Sequence, residues 1–319
     1  MSITSIIILV RQGAMSNRLT SQTYDELYDG LLQTQVWLQS VGLPVTGNRF
    51  AAILANVDLI RQHYDKPSLD QVLHEHPMGE LWVSLLDAGS FITLYEQLRV
   101  LRSDQLPRGR LKEALSGPLM PHDEQKDGPT IQARDAIFEL ELGCRLRAKG
   151  VSLTGFDDIE FEFQGVRVNV QCKRLHSAKT LQPNLDKACM QIARWITGQT
   201  RGLVAIGMDK IFTTDRNVLT VTNEGALLGA VKDLMKDFLC ENEQRFLRIL
   251  DIRILGVLAD LRYIGRVKDR NDLLTSGCET ALYALASAAT LQFVDSDFLW
   301  NLGHNIADSV EQLHPLRRG

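Results

Sequence analysis

Apolar residues recur at intervals of three and four positions through most of the first 110 residues, and this spacing predicts helices. The predicted helices cover residues 24–41, 48–64, 68–74 and 81–102. Residues 3–10 form a shorter apolar run, without the basic leader and the small-residue cleavage site of a signal peptide. We therefore expect a strand or a buried segment at 3–10.

The pattern changes at residues 116–130, which contain three prolines and two glycines and are predicted to form a linker or an exposed loop. Beyond them, helical and alternating patterns succeed each other. They predict helices at 131–149, 183–198 and 225–239, and strands at 156–163, 166–173, 202–208, 218–221 and 253–262. The last 50 residues are again predicted to be helical.

The expected fold class is therefore α/β (α+β), with a mixed central sheet flanked by helices. Three parts are predicted along the chain. They are a mostly helical N-terminal domain at 1–126, a sheet-containing domain at 127–265 and a helical C-terminal extension at 266–319.

The most regular alternation lies in residues 156–174, FDDIEFEFQGVRVNVQCKR. Its two arms alternate apolar and polar residues around Gln164 and Gly165, which predicts a β-hairpin with one apolar face and one polar face. If the turn has two residues, directly opposed side chains lie close together on the polar face. The pairs that follow are Glu162 with Arg167, Glu160 with Asn169, and Asp158 with Gln171.

One end of this hairpin brings together Asp158, Gln171 and Lys173. A carboxylate with one or two further oxygens suits a hard cation such as Mg²⁺ or Mn²⁺, and the backbone carbonyl of Cys172 could add a ligand. Lys173 could then position or deprotonate an attacking water, or stabilise a pentavalent phosphorane. The alternative is an amphipathic hairpin whose polar face simply meets solvent.

The helix predicted before the hairpin carries charged residues on two sides. Glu139 lies on the less polar side, where it either forms a buried ion pair or completes the metal site, with Glu141 as the alternative glutamate. The opposite stripe is the expected solvent face. Its members are Arg134, Glu141, Arg145 and Lys149.

The overall composition excludes several classes of protein. Hydrophobic residues make up 45% and charged residues 23% of the chain, as in an ordinary globular protein. No stretch approaches the ~18–20 apolar residues of a membrane helix. The five cysteines are scattered without a CxxC pair, which argues against a zinc site or a disulfide framework and favours a reducing cytoplasm.

The chain has a net charge of −4, but its basic residues are concentrated in one segment. Residues 165–201 carry seven basic residues and one acidic residue, a local charge of +6. Such an excess is what phosphate binding needs, although a polar stripe on a helix is more often a solvated face. The side chains that we expect to contact nucleic acid are Arg174, His176, Lys179, Lys187, Gln191 and Arg194.

The order of these elements resembles the αβββαβ core of the PD-(D/E)xK nucleases, the restriction-endonuclease-like superfamily. The matching segments are FELELGCRLRAKG with Glu139, FDDIEFEF with Asp158, and VQCKR with Gln171 and Lys173. The spacing is similar to that of the Holliday-junction-resolvase-like branch. Gln171 replaces the acidic residue of the motif, as in the QxK variant of Mrr-like nucleases, and removes one negative charge from the metal site. The resemblance covers about residues 131–208, a quarter of the chain.

The resemblance implies a nuclease that hydrolyses phosphodiester bonds with Mg²⁺ or Mn²⁺, and DNA is a more natural substrate than RNA. Its catalytic residues would be Glu139, Asp158, Gln171 and Lys173. The metal ligands would be Asp158, Gln171, Glu139 and the Cys172 carbonyl. Restriction, antiviral defence or repair is the usual setting of such enzymes.

The helical regions on either side would select the substrate, form a homodimer, or contact a partner protein or an ATP-driven motor. No membrane contact is expected. Two other interpretations stay open. One is a nuclease fold used only to bind nucleic acid, and the other is a scaffold subunit without enzymatic activity.

Overall fold

A computed structural model describes residues 6–8, 23–63, 66, 68, 71, 75–76, 78–120, 123–124, 129–156, 159–195, 200–212, 218–249, 251, 253–270, 273–286 and 296–307. The helices are α1 (Tyr24–Ser40), α2 (Arg49–His63), α3 (Met78–Leu98), α4 (Arg108–Leu115), α5 (Pro129–Ala148), α6 (Leu181–Trp195), α7 (Asp209–Phe212), α8 (Glu224–Glu241), α9 (Glu243–Arg248) and α10 (Ser296–Ile306). The strands are β1 (Ile6–Ile8), β2 (Leu153–Gly155), β3 (Ile159–Phe163), β4 (Val166–Arg174), β5 (Arg201–Gly207), β6 (Val218–Val221), β7 (Ile254–Val267) and β8 (Leu273–Ala286).

The strands form one mixed sheet in the order β1-β8-β7-β5-β4-β3-β2, and β6 pairs with the far end of β7. The pairs β4–β5, β5–β7 and β6–β7 are parallel, and the other neighbours are antiparallel. The fold is therefore mixed α/β, with N-terminal helices before the sheet and a short helix after it, which confirms the predicted class.

Three apolar clusters arrange the helices in layers around the sheet. One face of the sheet packs against α6, α8 and α9. The other face packs against α5 and α10, and Phe138, Leu142 and Leu146 are the α5 side chains in that cluster. The opposite side of α5 packs against α1 to α4 through residues that include Ile137 and Leu140. Helix α5 therefore lies between the sheet and the N-terminal helices.

Local sequence signals account for where several helices begin. Thr23 precedes α1 and forms a capping box with Glu26: its hydroxyl accepts from Glu26 N (3.1 Å), and Thr23 N donates to Glu26 Oε2 (2.7 Å). Asn223 caps α8 by accepting from Ala226 N at 2.9 Å. Among the residues that the structure describes, no helix is both long enough and apolar enough to cross a membrane.

The predicted hairpin is confirmed, with its register. Glu162 pairs with Arg167 and Glu160 with Asn169, as a two-residue turn requires. Gln164 has φ 48° and Gly165 has φ 78°, so both central residues are in the left-handed region that a type I′ turn needs. Glycine adopts this conformation without strain, whereas the backbone of Gln164 is strained in it.

This strain makes the turn a site where stability can be raised. We expect Gln164→Asn to increase the free energy of unfolding by about 0.5–1 kcal/mol, because asparagine adopts positive φ more readily than glutamine. The paired variant Gly165→Ala should decrease it by about 1–2 kcal/mol. Urea denaturation measures both changes. Two shifts in the same direction would contradict the turn geometry.

The C-terminal part corrects the prediction of a helical extension at 266–319. Residues 273–286 form strand β8 between β7 and β1, and the described helix is α10. The residues from Ala281 to Leu285 are all buried, since both faces of β8 are covered. A continuous apolar run of this kind carries no period of two and resembles a buried helix in sequence.

The remaining predicted helices and strands agree with the structure to within a few residues. Strand β2 and helices α4, α7 and α9 were not predicted. Most of the predicted helix at 68–74 lies outside the described residues. In the predicted linker at 116–130, Glu124 is buried instead of exposed. Its position matters for the site described next.

Candidate functional site

A cleft with a volume of about 200 Å³ opens between α5 and the end of β4. Helix α5 contributes Gln132, Asp135, Phe138 and Glu139, strand β4 contributes Gln171, Cys172, Lys173 and Arg174, and α4 and α6 contribute Arg110 and Gln191. Three of the four predicted catalytic residues therefore line one cleft, although they come from a helix and a strand that are distant in sequence. The fourth, Asp158, lies outside the described residues.

Lys173 is half-buried in this cleft, and its Nζ donates to the backbone carbonyl of Cys172 at 2.9 Å. Burial lowers the pKa of Lys173, and the positive charge of Lys187 lowers it further. The negative charges of Glu139 and Asp135 oppose this shift without cancelling it. The amine consequently loses its proton more easily than a surface lysine does.

Gln171 is 5% exposed, and Asn169 beside it is 4% exposed. The polar face of the hairpin is thus covered at this end and does not simply meet solvent. Gln171 Nε2 donates to Asn169 Oδ1 at 2.9 Å. This bond uses the amide nitrogen of Gln171, so the carbonyl oxygen is the atom of this cleft residue that could accept from or coordinate a ligand.

Glu139 combines the two alternatives that its helical position left open. It lines the cleft, and its Oε2 also accepts from Arg110 Nη2 at 2.8 Å. Arg110 is shared with Glu113, at 3.0 Å from Nη1 to Oε2. An arginine from α4 therefore orients the glutamate of α5.

Asp135 is a cleft residue that the sequence reasoning missed. It lies one helical turn before Glu139, on the same side of α5. Its Oδ1 is buried and accepts no hydrogen bond from the residues that the structure describes, and burial raises the pKa of its carboxyl group. The spacing of four residues from Glu139 was the signal that could have identified it.

The oxygens of Asp135, Glu139 and Gln171 are hard donors of the kind that bind Mg²⁺ or Mn²⁺. In the part of the chain that the structure describes, no three Asp, Glu, His or Cys side chains converge closely enough to hold a metal ion. The structure describes three members of the predicted metal set of Asp158, Gln171, Glu139 and the Cys172 carbonyl. Asp158 is the member that lies outside the described residues, and the Cys172 carbonyl accepts from Lys173.

Arg174 forms the inner wall of the cleft, and its side chain is 1% exposed. Its Nη1 donates to Glu124 Oε1 and Oε2 at 3.0 and 3.1 Å, and its Nε lies 3.3 Å from both oxygens of Asp209. Burial opposes the charge of Arg174, but attraction to Asp209 and Glu124 outweighs burial and raises its pKa. Its Nη2 is buried and has no hydrogen-bond partner in the described part of the chain.

The predicted solvent stripe of α5 is wrong for three of its four members. Arg134 and Glu141 are buried and Arg145 is partly buried, all three in ion pairs, and of the four only Lys149 is exposed. Ser90 of α3 donates to Glu141 Oε2 at 2.6 Å, so Glu141 is not an alternative cleft residue. Helical periodicity located the stripe correctly, but ion-pair partners on α3 and β7 cover it.

These residues belong to a buried network of charges that connects the N-terminal helices to the sheet. Asp87 of α3 pairs with Arg49, with Arg134 (3.5 Å) and with Arg262 of β7 (3.3 Å). Arg262 also pairs with Asp209 at 2.9 Å, and Asp209 pairs with Arg174. An unbroken chain of ion pairs therefore runs from α2 and α3 to the cleft.

The other predicted nucleic-acid contacts differ in exposure. Lys179, Lys187 and Arg194 are exposed, and Lys187 and Arg194 lie on α6 beside the cleft residue Gln191. His176 is half-buried, with its Nδ1 3.1 Å from Lys210 Nζ. Burial and the charge of Lys210 lower the pKa of His176, which favours the neutral form of the ring.

No family model, curated protein or solved structure matches this chain. The function must therefore be argued from the cleft itself. It offers carboxylate and amide oxygens, an amine with a lowered pKa, and a fixed guanidinium with one unpartnered nitrogen. These groups suit a reaction at a phosphate.

Proposed function

We propose that the protein is a metal-dependent nuclease, a hydrolase that acts on phosphodiester bonds with DNA as the preferred substrate. The observation that carries the proposal is the meeting of Glu139, Gln171 and Lys173 in one cleft between α5 and β4. The sequence pattern independently predicts the same three residues as catalytic groups. The PD-(D/E)xK resemblance supports the same chemistry.

The oxygens of Glu139 and Gln171, together with Asp158 at the start of the hairpin, would hold Mg²⁺ or Mn²⁺. When bound, such an ion lowers the pKa of a water and offsets the charge of a phosphate. Lys173 would accept a proton from the attacking water, or donate to a phosphate oxygen. Burial lowers its pKa, so the neutral amine that could accept a proton is more accessible than in a surface lysine.

Nucleic acid would enter along α6, where Lys187 and Arg194 are exposed, and would reach Gln191 and Arg174 at the cleft. Lys179 and His176 precede α6 and extend this surface. The N-terminal helices would provide contacts for a partner protein, a motor or a second copy of the chain. None of the five cysteines, all of which lie among the described residues, is in a disulfide bond, which fits the proposed cytoplasmic setting in defence, restriction or repair.

A second candidate is a binding module with weak or no catalysis. The ion pair between Arg110 and Glu139 favours it, because this pair already occupies one oxygen of the glutamate. The neutral Gln171 favours it as well, since an amide attracts a cation less strongly than a carboxylate does. In this case the cleft would bind phosphate without cleaving the chain.

The test is an assay of purified protein with single- and double-stranded DNA and RNA, in Mg²⁺, in Mn²⁺ and in EDTA. We expect cleavage of DNA that requires the metal and that falls at least about a hundredfold in Asp158→Ala, since loss of even a residue behind a metal ligand lowers activity about 10–100-fold. Asp237→Ala, at an exposed position of α8, is the matched control. Cleavage that survives Asp158→Ala would remove the site assignment, and metal-independent binding without cleavage would favour the binding module.

A further inference from the structure

Arg174 is oriented by two carboxylates that bind different parts of its guanidinium group. Glu124 accepts from Nη1, and Asp209 accepts from Nε. The nitrogen that remains, Nη2, is buried, has no hydrogen-bond partner among the described residues and belongs to a residue that lines the cleft. Leaving a buried donor of a charged group unpaired is unfavourable, so this position favours a ligand that supplies an acceptor.

From this geometry we propose a preformed phosphate subsite. In it, Arg174 Nη2 and Lys173 Nζ bind the two non-bridging oxygens of one phosphate of the nucleic-acid backbone, and no metal is needed. The inference rests on the proposed function, because it takes the ligand to be a backbone phosphate. Glu124 and Asp209 act as positioning residues. They do not contact the phosphate but hold the guanidinium in the orientation that leaves Nη2 for it.

Neither carboxylate neutralises Arg174 by itself, because both are shared with other cations. Glu124 also pairs with Arg134 (2.7 Å) and with Lys210 (3.1 Å). Asp209 also pairs with Arg262 (2.9 Å). Four cations thus share these two carboxylates, and two of the four, Arg134 and Arg262, also pair with Asp87. Neither Glu124 nor Asp209 is therefore dedicated to Arg174, whose guanidinium keeps its charge for an anion.

The experiment measures binding of a short fluorescein-labelled single-stranded oligodeoxynucleotide in EDTA by fluorescence anisotropy. Arg174→Lys keeps the charge but lacks the planar fork, and we expect binding about tenfold weaker than in the wild type. The matched control is Arg248→Lys, an exposed arginine of α9. It should bind the oligonucleotide as the wild type does.

A second ligand shows whether the effect depends on the phosphate. An oligonucleotide with a methylphosphonate backbone lacks the charged oxygens, so the difference between wild type and Arg174→Lys should vanish with it. If Arg174→Lys binds the natural oligonucleotide as tightly as the wild type does, the proposal is overturned. It is also overturned if the loss is equally large for the uncharged ligand.

Glu124→Gln tests the positioning. Removing a negative charge near the cleft should strengthen anion binding if charge alone matters. The new amide nitrogen is a donor that faces the three cations paired with Glu124, so the Arg174 guanidinium should lose its orientation. We therefore expect Glu124→Gln to bind the oligonucleotide several-fold more weakly than the wild type. Tighter binding would contradict the proposal.

If Arg174→Lys does not fold, Lys173→Gln provides the decision, because Lys173 makes no ion pair within the described part of the chain. Its affinity for the natural oligonucleotide should fall several-fold, and unchanged affinity overturns the subsite.

Different results would overturn the phosphate subsite and the proposed nuclease function. If binding depends on Arg174 but no DNA is cleaved, only the nuclease function is contradicted. If DNA is cleaved but Arg174→Lys binds as the wild type does, only the subsite is contradicted.

Discussion

Lys173→Met is expected to lower the rate of DNA cleavage by about 10²–10⁴-fold, the range in which a positioned acid or base contributes to a reaction. The structure places this amine in the cleft with Glu139 and Gln171, and burial lowers its pKa. Methionine has nearly the same length and no titratable group. The proton transfer and the hydrogen bond to phosphate are therefore lost together, while the shape of the cleft is retained.

The stability of this variant separates a chemical role from a structural one. Burial of a charged amine is unfavourable, so Lys173→Met should unfold at the same or a slightly higher temperature than the wild type. Lys236→Met, at an exposed position of α8, makes the same change of charge far from the cleft and should keep full activity. Activity of Lys173→Met within about tenfold of the wild type would remove Lys173 from the mechanism.

Asp87→Asn is expected to decrease the free energy of unfolding by about 3–5 kcal/mol, the largest effect on stability that we expect. Asp87 is fully buried between α2, α3, α5 and β7, where it faces Arg49, Arg134 and Arg262. The neutral asparagine removes the counterion of Arg49 and leaves Arg134 and Arg262 with only their other partners, which include Glu124 and Asp209. Denaturant unfolding monitored by circular dichroism measures the change.

An exposed aspartate is the control for this substitution. Asp237→Asn on α8 should change the free energy of unfolding by no more than about 0.5 kcal/mol, because a surface side chain without a partner contributes little. Equal stability of the two variants would show that the buried network does not connect the N-terminal helices to the sheet energetically.

The same carboxylate predicts a dependence of stability on pH. Burial alone would raise the pKa of Asp87, but attraction to Arg49, Arg134 and Arg262 outweighs burial and lowers the pKa from 3.8 to about 2. A lowered pKa contributes stability that is present above 3.8 and is lost as the pH falls toward 2. The contribution is about 2 kcal/mol.

Asp87→Asn should therefore lose less stability than the wild type between about pH 4 and pH 2. Unfolding curves recorded across this window for both proteins measure the difference. Parallel loss of stability in the two proteins would contradict the assignment. Asp209, whose pKa is lowered by Arg174 and Arg262 against the effect of burial, adds to the dependence in both proteins alike.

The hairpin was predictable because its determinants are local. Alternation in two arms and one glycine at the turn define which residues oppose each other, and the register follows from the turn length. The predicted position of Glu139 followed from helical phase in the same way. For both, a few neighbouring residues contain all the information that the geometry needs.

Strand β8 and the covered face of α5 were not predictable by the same means. Residues such as Tyr283 are buried on β8 because two other strands and two layers of helices surround it, and no local period reports this. Arg134 and Glu141 have the pattern of a solvated face. They are buried because oppositely charged partners, distant in sequence, meet them there.

By itself, the sequence determined the mixed α/β class, the hairpin with its register, and the choice of Glu139, Gln171 and Lys173 as polar groups for one site. Only the tertiary structure decided that Asp135 joins them, that Arg110 holds Glu139, and that Glu124 and Asp209 orient Arg174. The physical reason is the range of the interactions. Backbone geometry repeats over a few residues, whereas the partner of a buried charge is selected by packing between elements that lie far apart in the chain.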